Sequence, residues 1–333
     1  MIDVYGFMRK IPGGMLLVPM AVTAIINTIF PNALGSSGSM TMALFKTGTL
    51  TFAGFLMFAS GASMDVKSLA SSLKRSATLA IAHLAISFGF GIAYVRLFGL
   101  DGILGINAVA FVTCICACNP GVYMSVIQQY GEPADLGNFA FLNILTMPAI
   151  PILVLAMGAG VAFNWMEVIT VLIPFCLGAL LGNLDPKLGK MFGMATPLAL
   201  PFMGFCFGAS INLVAALQAG VAGIVLSIVY LVIHVGIKLP LDRVVNRQPG
   251  YAAVAQASVA GIAMAAPSMM GEAFAAYVPT AVPQIALTLL ITSIASPIIA
   301  RAVVNKWGAP CTLAKASQGG PAGAPAPAPA PQK

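Results

Sequence analysis

The sequence contains few charged residues. Asp, Glu, Lys and Arg make up 8% of the 333 residues, whereas 59% are hydrophobic. Soluble domains carry about 25% charged residues, so this chain has too few charges to cover a surface in water. Together with a mean hydropathy of +0.96, this shortage predicts an all-α integral membrane protein. The 16 Lys and Arg residues lie singly or in pairs, without the basic patch that binds nucleic acid.

The chain also lacks the motifs of membrane-embedded enzymes. It has no H-E-x-x-H, no G-x-S-x-G, no P-loop and no acidic cluster that could bind a metal. Three of its six cysteines form CICAC (114–118), which has no neighbouring His or acidic residue to complete a metal site. We therefore expect no enzymatic activity, no cofactor and no metal, and we interpret the cysteines as reduced packing residues.

Apolar windows of about 20 residues can cross a bilayer as helices. The chain contains ten such windows: 11–30, 47–65, 76–98, 103–130, 136–160, 167–184, 191–213, 217–242, 250–276 and 281–305. With ten spans, both termini lie on the same side of the membrane. That side carries 14 of the 16 Lys and Arg residues, and the opposite side carries only Lys46 and Arg96. Basic loops stay in the cytoplasm, so residues 1–10 are predicted to be a cytoplasmic N-terminus. Residues 309–333, rich in Pro and Ala, are predicted to be a disordered tail on the same side.

The two halves of the chain resemble each other. FLMFASGASMDVKSL (55–69) is similar to FMGFCFGASINLVAAL (202–217) at an offset of 147, and VPMAVTAIINTIFP (18–31) is similar to IPFCLGALLGNLDP (173–186) at an offset of 155. LTMPAIPILV (145–154) resembles ITSIASPIIA (291–300). We predict two five-helix repeats, 11–160 and 161–308. Because five is odd, the second repeat is inverted in the membrane, which is typical of secondary transporters.

Span 4 contains CICACNPGVY (114–123), in which Asn119, Pro120 and Gly121 each disfavour a continuous helix. A lone proline would indicate an ordinary kink, but Pro267 occupies the equivalent position in span 9, 147 residues later. We therefore predict that spans 4 and 9 are discontinuous helices that cross near the bilayer midplane. Asn119 is suited to cap the second half of span 4, with Pro120 at its first position.

The predicted half-helix ends indicate a solute site. Free backbone N–H groups after Pro120 and after Pro267 would attract an anionic or hydroxylated solute without a basic residue inside the spans. Each nearby polar side chain could equally form a helix–helix contact. The predicted solute-binding residues are Asn119, Gly121, Val122, Tyr123, Ser63, Ser210, Ser268, Met269 and Gln128.

Three further residues, Glu272, Asn143 and Gln256, are candidates for binding a coupling ion. Glu272 would be the one acidic residue well inside a span, where a carboxylate is costly, unless span 9 ends early and leaves it solvated. His83 and His234 lie in the equivalent spans 3 and 8. Histidines on such helices are more often packed and hydrogen-bonded than part of a proton relay.

Four long segments resemble the bacterial 2-keto-3-deoxygluconate permease family: KIPGGMLLVP (10–19), SVIQQYGEPADLGNF (125–139), IPFCLGALLGNLDP (173–186) and PFMGFCFGASINL (201–213). The resemblance implies cation-coupled uptake of this sugar acid, with a proton as the expected ion, across the bacterial inner membrane. It also implies an architecture similar to that of sodium/bile-acid symporters, in which a core domain with crossing broken helices lies beside a panel domain. The matching family positions are Asn119, Gly121, Tyr123, Gln128, Gln129, Tyr130 and Glu272. Cys116 and Leu145 stand near positions that are acidic in the family, which leaves the coupling ion open.

These features together predict a secondary transporter that imports a small anionic sugar acid by symport with a proton or sodium ion. Transport would proceed by alternating access. Spans 4 and 9, with parts of spans 2, 5, 7 and 10, would form the core that carries the site, and spans 1, 3, 6 and 8 would pack around it. A sodium-coupled organic-anion carrier and a sodium/proton antiporter of the same architecture are the alternatives.

Overall fold

The computed structural model describes residues 3–10, 14–30, 38–64, 73–132, 135, 138–161, 165–209 and 213–313. These residues are almost entirely helical, and the described ranges contain no β-strand. The α-helices are α1 (Val4–Lys10), α2 (Gly14–Ile29), α3 (Ser39–Phe45), α4 (Thr49–Ala62), α5 (Leu73–Phe98), α6 (Ala108–Cys116), α7 (Pro120–Tyr130), α8 (Asn138–Leu145), α9 (Ala149–Ala159), α10 (Trp165–Leu184), α11 (Pro186–Gly208), α12 (Leu213–Val244), α13 (Tyr251–Ala255) and α14 (Val278–Trp307). Two 3₁₀ helices, η1 (Gly261–Met269) and η2 (Glu272–Tyr277), lie between α13 and α14.

Local sequence signals set several helix ends. Asn107 caps α6, with its Oδ1 accepting a hydrogen bond from the Ala110 N–H at 2.8 Å. Asp185 caps α11, which starts with proline at its first position. Gly160 ends α9 in the left-handed conformation, at φ 67, which costs glycine little because it has no Cβ.

Several helices are long and apolar enough to cross a membrane. Five such segments occur among the described residues: 77–98, 108–130, 186–208, 220–244 and 272–307. Helices α3 and α4, bent by 50° at their junction, would add a sixth. The all-α prediction is thus confirmed, with five or six candidate membrane-spanning helices among the described residues rather than the ten spans expected. Predicted spans 1, 5 and 6 contain shorter apolar helices, and span 9 consists of α13 followed by η1.

The helices pack in two groups. Group A contains α2, α4, α10 and α11, which correspond to predicted spans 1, 2, 6 and 7. Group B contains α5–α9, α12, α13, η1 and α14, which correspond to spans 3, 4, 5, 8, 9 and 10. Spans 3 and 8, predicted to pack around the core, thus pack together with spans 4, 5, 9 and 10 in group B. Helices α5 and α12 pack directly against the break in span 4 because their polar side chains bond its carbonyl groups.

Two glycines allow the helices of group A to approach to backbone contact. A Cβ at Gly61 on α4 would overlap the carbonyl oxygen of Phe175 on α10. A Cβ at Gly208 on α11 would overlap the carbonyl oxygen of Met20 on α2. The offset of 147 takes Gly61 to Gly208, and the offset of 155 takes Met20 to Phe175. The two contacts are therefore equivalent under the sequence repeat.

A second pair of contacts follows the same two offsets. A Cβ at Gly178 on α10 would overlap the carbonyl oxygen of Phe58 on α4. At the equivalent pair of positions, the Thr23 hydroxyl on α2 donates to the carbonyl oxygen of Phe205 on α11 at 3.0 Å. Both helix pairs of group A thus meet through positions that the internal repeat relates.

Candidate functional site: the crossing of two broken helices

The first break separates α6 from α7 at residues 117–119. Asn119 caps α7, and its Oδ1 accepts hydrogen bonds from the N–H groups of Gly121 at 3.0 Å and Val122 at 3.2 Å. Pro120 occupies the first helical position, where its missing N–H costs nothing. The predicted break and cap are confirmed. The same bonds correct one detail: the N–H groups of Gly121 and Val122 are not free, because the cap uses both donors.

The second break separates α13 from η1 at residues 256–260, where Ala260 has extended backbone angles. The prediction had placed this break at Pro267, and that position was wrong. Pro267 lies inside η1, so Ser268 and Met269 lie near the end of that helix rather than at a helix N-terminus. The physical reason is that Pro120 follows a capping Asn, whereas Pro267 follows Ala266, which cannot cap a helix.

The two breaks contact each other directly. The Asn119 side chain donates from Nδ2 to the carbonyl oxygen of Val259 at 3.1 Å. The Val259 N–H in turn donates to the Thr292 hydroxyl on α14 at 3.0 Å. One asparagine therefore caps the second half of span 4 and also bonds the extended backbone of span 9.

Side chains of α5 and α12 bond the carbonyl groups at the end of α6. His83 Nε2 lies 2.9 Å from the Cys116 oxygen, His234 Nε2 lies 3.0 Å from the Ile115 oxygen, and the Tyr230 hydroxyl donates to the Ala117 oxygen at 2.9 Å. A broken helix inside a membrane protein needs such partners, because lipid supplies none. The prediction that both histidines are packed and hydrogen-bonded is confirmed.

Helix α14 supports the second break in a similar way. The Ser296 hydroxyl donates to the Val254 carbonyl oxygen at 2.8 Å, and the Ser293 and Ser258 hydroxyls are 3.2 Å apart. Together with Thr292, these serines give α14 a polar stripe facing the break. None of the three residues of this stripe was among the predicted site residues.

Lys238 is a buried amine that was not among the predicted site residues. Its side chain is 0% exposed, and its Nζ lies 2.8 Å from Nδ1 of His83. The expectation of no basic residue inside the spans was therefore wrong. The sequence did contain an indication of this site: polar residues recur every four positions along α12, which puts four polar side chains on one helix face. That face carries Tyr230, His234, Lys238 and Asp242, all buried.

Tyr123 and Asn143, both predicted site residues, form hydrogen bonds with other parts of the fold. The buried Tyr123 hydroxyl donates to the Asp135 carbonyl oxygen at 3.0 Å. Asn143 Oδ1 accepts from the Ser60 hydroxyl on α4 at 3.0 Å, which joins α8 to group A. Gln128 is exposed on α7, and Ser210 lies outside the described residues.

Glu272 and Gln256, both proposed to bind the ion, have opposite environments. Glu272 is exposed at the first position of η2, and its role in binding an ion stays a prediction. Gln256 is 1% exposed, and neither Oε1 nor Nε2 has a hydrogen-bond partner. An unpaired buried amide costs about 1–3 kcal/mol, so Gln256 has unused capacity to bind a polar ligand.

Two cavities border α4 and α10. One of ≈ 370 Å³ lies between group A and the end of η1, and its lining includes Thr170, Ser268, Met269 and Gly271. The other, of ≈ 450 Å³, lies at the ends of α4 and α10 and is lined by Ser63, Asn183 and Lys190, among others. The structure thus places Ser63 and Ser268 in separate cavities, neither of which is lined by Asn119.

The sequence matches the family model described as 2-keto-3-deoxygluconate permease over residues 5–309. It is 32% identical over 310 residues to 2-keto-3-deoxygluconate permease 1 of Salmonella typhimurium, covering 92% of this chain and 97% of that protein. It is 30% identical over 298 residues to the permease of the same name from Bacillus subtilis, covering 87% and 90%. Permeases are transporters rather than enzymes, and these matches span nearly the whole chain. The chain therefore belongs to the 2-keto-3-deoxygluconate permease family.

Proposed function

We propose that this protein imports 2-keto-3-deoxygluconate, or a similar small sugar acid, by cation symport and alternating access. The observation that carries the proposal is the contact between two broken helices, made by Asn119 and Val259, in a member of a permease family. Interrupted helices are tolerated at membrane depth where they line a cavity or are buried in protein. Substrate and ion sites of secondary transporters commonly lie at such interruptions.

The paired contacts of group A support the inverted-repeat part of this proposal. Gly61 meets Phe175 as Gly208 meets Met20, which is what a two-fold relation between repeats 11–160 and 161–308 requires. Under the proposed ten-span arrangement the protein lies in the bacterial inner membrane with both termini, including the tail 309–333, in the cytoplasm. Group A would then act as the panel and group B as the core that moves against it.

The proposed solute site lies where group A meets the broken helices. The cavity of ≈ 370 Å³ between the groups falls within the range of small-molecule sites, roughly 300–1,000 Å³. Ser268 and Met269 line it from η1, opposite Thr170 on α10. Gln256, with its unpaired amide, and Asn119 are the proposed polar groups at the crossing itself. Because the first amides of α7 are used by the cap, recognition would depend on side chains rather than on a helix N-terminus.

Charge explains why a cation must accompany the solute. An anion that moves into a cell works against the membrane potential, which costs about 2.3 kcal/mol per charge per 100 mV. One proton or one sodium ion makes each step electroneutral, and the ion gradient then drives uptake. The proton is our first choice, since a buried titratable cluster adjoins the break.

The test is uptake of radiolabelled 2-keto-3-deoxygluconate into proteoliposomes that contain the purified protein. An inward proton gradient should produce accumulation that a protonophore abolishes. No accumulation under either a proton or a sodium gradient would sink the proposal. Sodium-driven uptake alone would instead favour the sodium-coupled organic-anion carrier of the same architecture.

A matched pair of variants tests the site. Asn119→Leu removes both the cap and the bond to Val259 and should weaken solute binding. Ser125→Ala removes an exposed hydroxyl on the same helix that bonds only the Val122 carbonyl oxygen, and it should leave binding unchanged. Equal affinities of the Asn119→Leu variant and the native protein would contradict the proposed site.

A further inference from the structure

Lys238 is a buried amine with a single polar partner. Its Nζ lies 2.8 Å from His83 Nδ1, and in the described part of the chain it forms no ion pair and no other hydrogen bond. An isolated buried ammonium is costly. A lysine in this setting is therefore a group that gains and loses a proton rather than a permanent charge.

The hydrogen bonds fix how many protons the pair can hold. His83 Nε2 faces the Cys116 carbonyl oxygen, which can only accept, so Nε2 carries a hydrogen. The opposite nitrogen, Nδ1, faces Lys238. Either Nδ1 accepts a hydrogen from Lys238, or a doubly protonated His83 donates to a neutral amine. Both groups cannot be charged in this geometry, so the pair holds at most one excess proton.

His234 provides a neighbouring acceptor. Its Nε2 faces the Ile115 carbonyl oxygen and therefore also carries a hydrogen. Its Nδ1 is buried and has no hydrogen-bond partner. The rings of His83 and His234 are 5.2 Å apart between centroids. The cluster thus contains one shared proton site and one vacant basic nitrogen beside it.

The remaining titratable groups that face the cluster already have partners. Cys118 lies near enough to Lys238 to interact with it electrostatically, and its thiol donates to the Leu142 carbonyl oxygen at 3.6 Å. Tyr230, one turn before His234, donates to the Ala117 oxygen. The others are Cys114 and Cys116 on α6, Asp242 on α12, which accepts from Asn246, and Tyr251 on α13, which donates to Asp135. None of these groups hydrogen-bonds the Lys238 amine, so His83 is its one hydrogen-bond partner among the described residues.

The position of the cluster links it to the break. The carbonyl end of α6 carries partial negative charge, which favours a proton on the adjacent imidazole or amine. The three carbonyl groups bonded by His234, His83 and Tyr230 belong to residues 115–117. Only Cys118 separates them from Asn119, which caps α7 and bonds Val259. A rearrangement of the break would change the hydrogen-bond partners of His83 and therefore the affinity of the pair for a proton.

We propose that Lys238 and His83 together form the binding site of the coupled proton, with His234 as a neighbouring acceptor. The inference rests on the proposed transport function and names the site of its ion. One proton from the side of higher proton concentration binds the pair, and it is released to the other side after the break has rearranged. No other bond is formed or broken.

The test compares accumulation with exchange in proteoliposomes. With one proton per solute, a gradient of one pH unit drives about tenfold accumulation of the anion, because one pH unit is worth about 1.4 kcal/mol. The double variant Lys238→Met with His83→Gln should exchange labelled for unlabelled 2-keto-3-deoxygluconate, yet accumulate none. Glutamine keeps an N–H for the Cys116 carbonyl but cannot bind a proton. Ser125→Ala, which removes an exposed hydroxyl that bonds only the Val122 carbonyl oxygen, should keep its dependence on the proton gradient.

A second variant covers the case in which the double substitution does not fold. Lys238→Arg keeps a cation beside His83 but does not release its proton at accessible pH, so it too should exchange without accumulating. Proton-driven accumulation by Lys238→Arg or by the double variant would overturn the inference. So would coupling of the native protein to sodium alone. A native protein that moves no sugar acid under any gradient would instead contradict the proposed function, so the two failures are distinguishable.

Discussion

Replacing Asn119 should open the first break locally, and a neighbouring cysteine can report the opening. Asn119→Ala removes the cap of α7, worth about 1 kcal/mol, and the bond to Val259, worth about another 1 kcal/mol. Asn119→Ser keeps an oxygen that can cap but is too short to bond Val259. Local opening should therefore become about 30-fold more frequent in Asn119→Ala and about 5-fold in Asn119→Ser, since 1.4 kcal/mol is a factor of ten.

Cys118 is suited to measure this opening because it is 0% exposed and directly precedes Asn119. Its rate of alkylation in detergent, followed by mass spectrometry, should rise in proportion to the open population. Cys206 on α11 is also 0% exposed but lies away from the break, and its rate should not change. An unchanged Cys118 rate in Asn119→Ala, or an equal rise at Cys206, would refute the assignment of these bonds to the break.

Three further predictions concern packing and the site. Gly178→Val should lower the yield of folded protein in size-exclusion chromatography, because the valine side chain would collide with the Phe58 carbonyl. Gly54→Ala on α4 is the control and should leave the yield unchanged, because a Cβ there meets no other atom. Gln256→Leu should raise the melting temperature, since an unpaired buried amide costs about 1–3 kcal/mol, while it weakens sugar-acid uptake. Glu272→Gln should keep proton-driven accumulation in proteoliposomes, because Glu272 is exposed. If the variant no longer accumulates the sugar acid, this carboxylate has a role in coupling.

The sequence predicted the first break because its signal is local. Asn119, Pro120 and Gly121 lie together, and a cap involves only the residues of one helix turn. The second break, within QASVAG (256–261), has no such signal. Its extended backbone is held by Asn119 and Thr292, which are distant in sequence. Pro267 lies 147 residues after Pro120, but this match did not locate the second break, because the break depends on tertiary contacts rather than on a proline.

Lys238 was missed for a different reason. A rule that counts basic residues assigns each to the nearest loop, and Lys238 lies near the end of a predicted span. In the structure α12 continues to Val244, so Lys238 lies inside the helix. Its spacing of four residues from His234 and Asp242 was visible in the sequence. That spacing identifies a shared helix face, but only the packing of α5 shows that His83 meets it.

The proposed proton and solute sites lie on opposite sides of one short interruption. The end of α6 has partial negative charge and adjoins the Lys238–His83 pair, whereas the start of α7 is capped by Asn119, one of the side chains proposed to bind the solute. Only residues 117–119 separate these two ends, and their backbone and side chains bond both Tyr230 and Val259. A displacement of this segment therefore changes both environments together. Coupling between ion and solute would then need no long pathway, because both ligands would bias the same three residues.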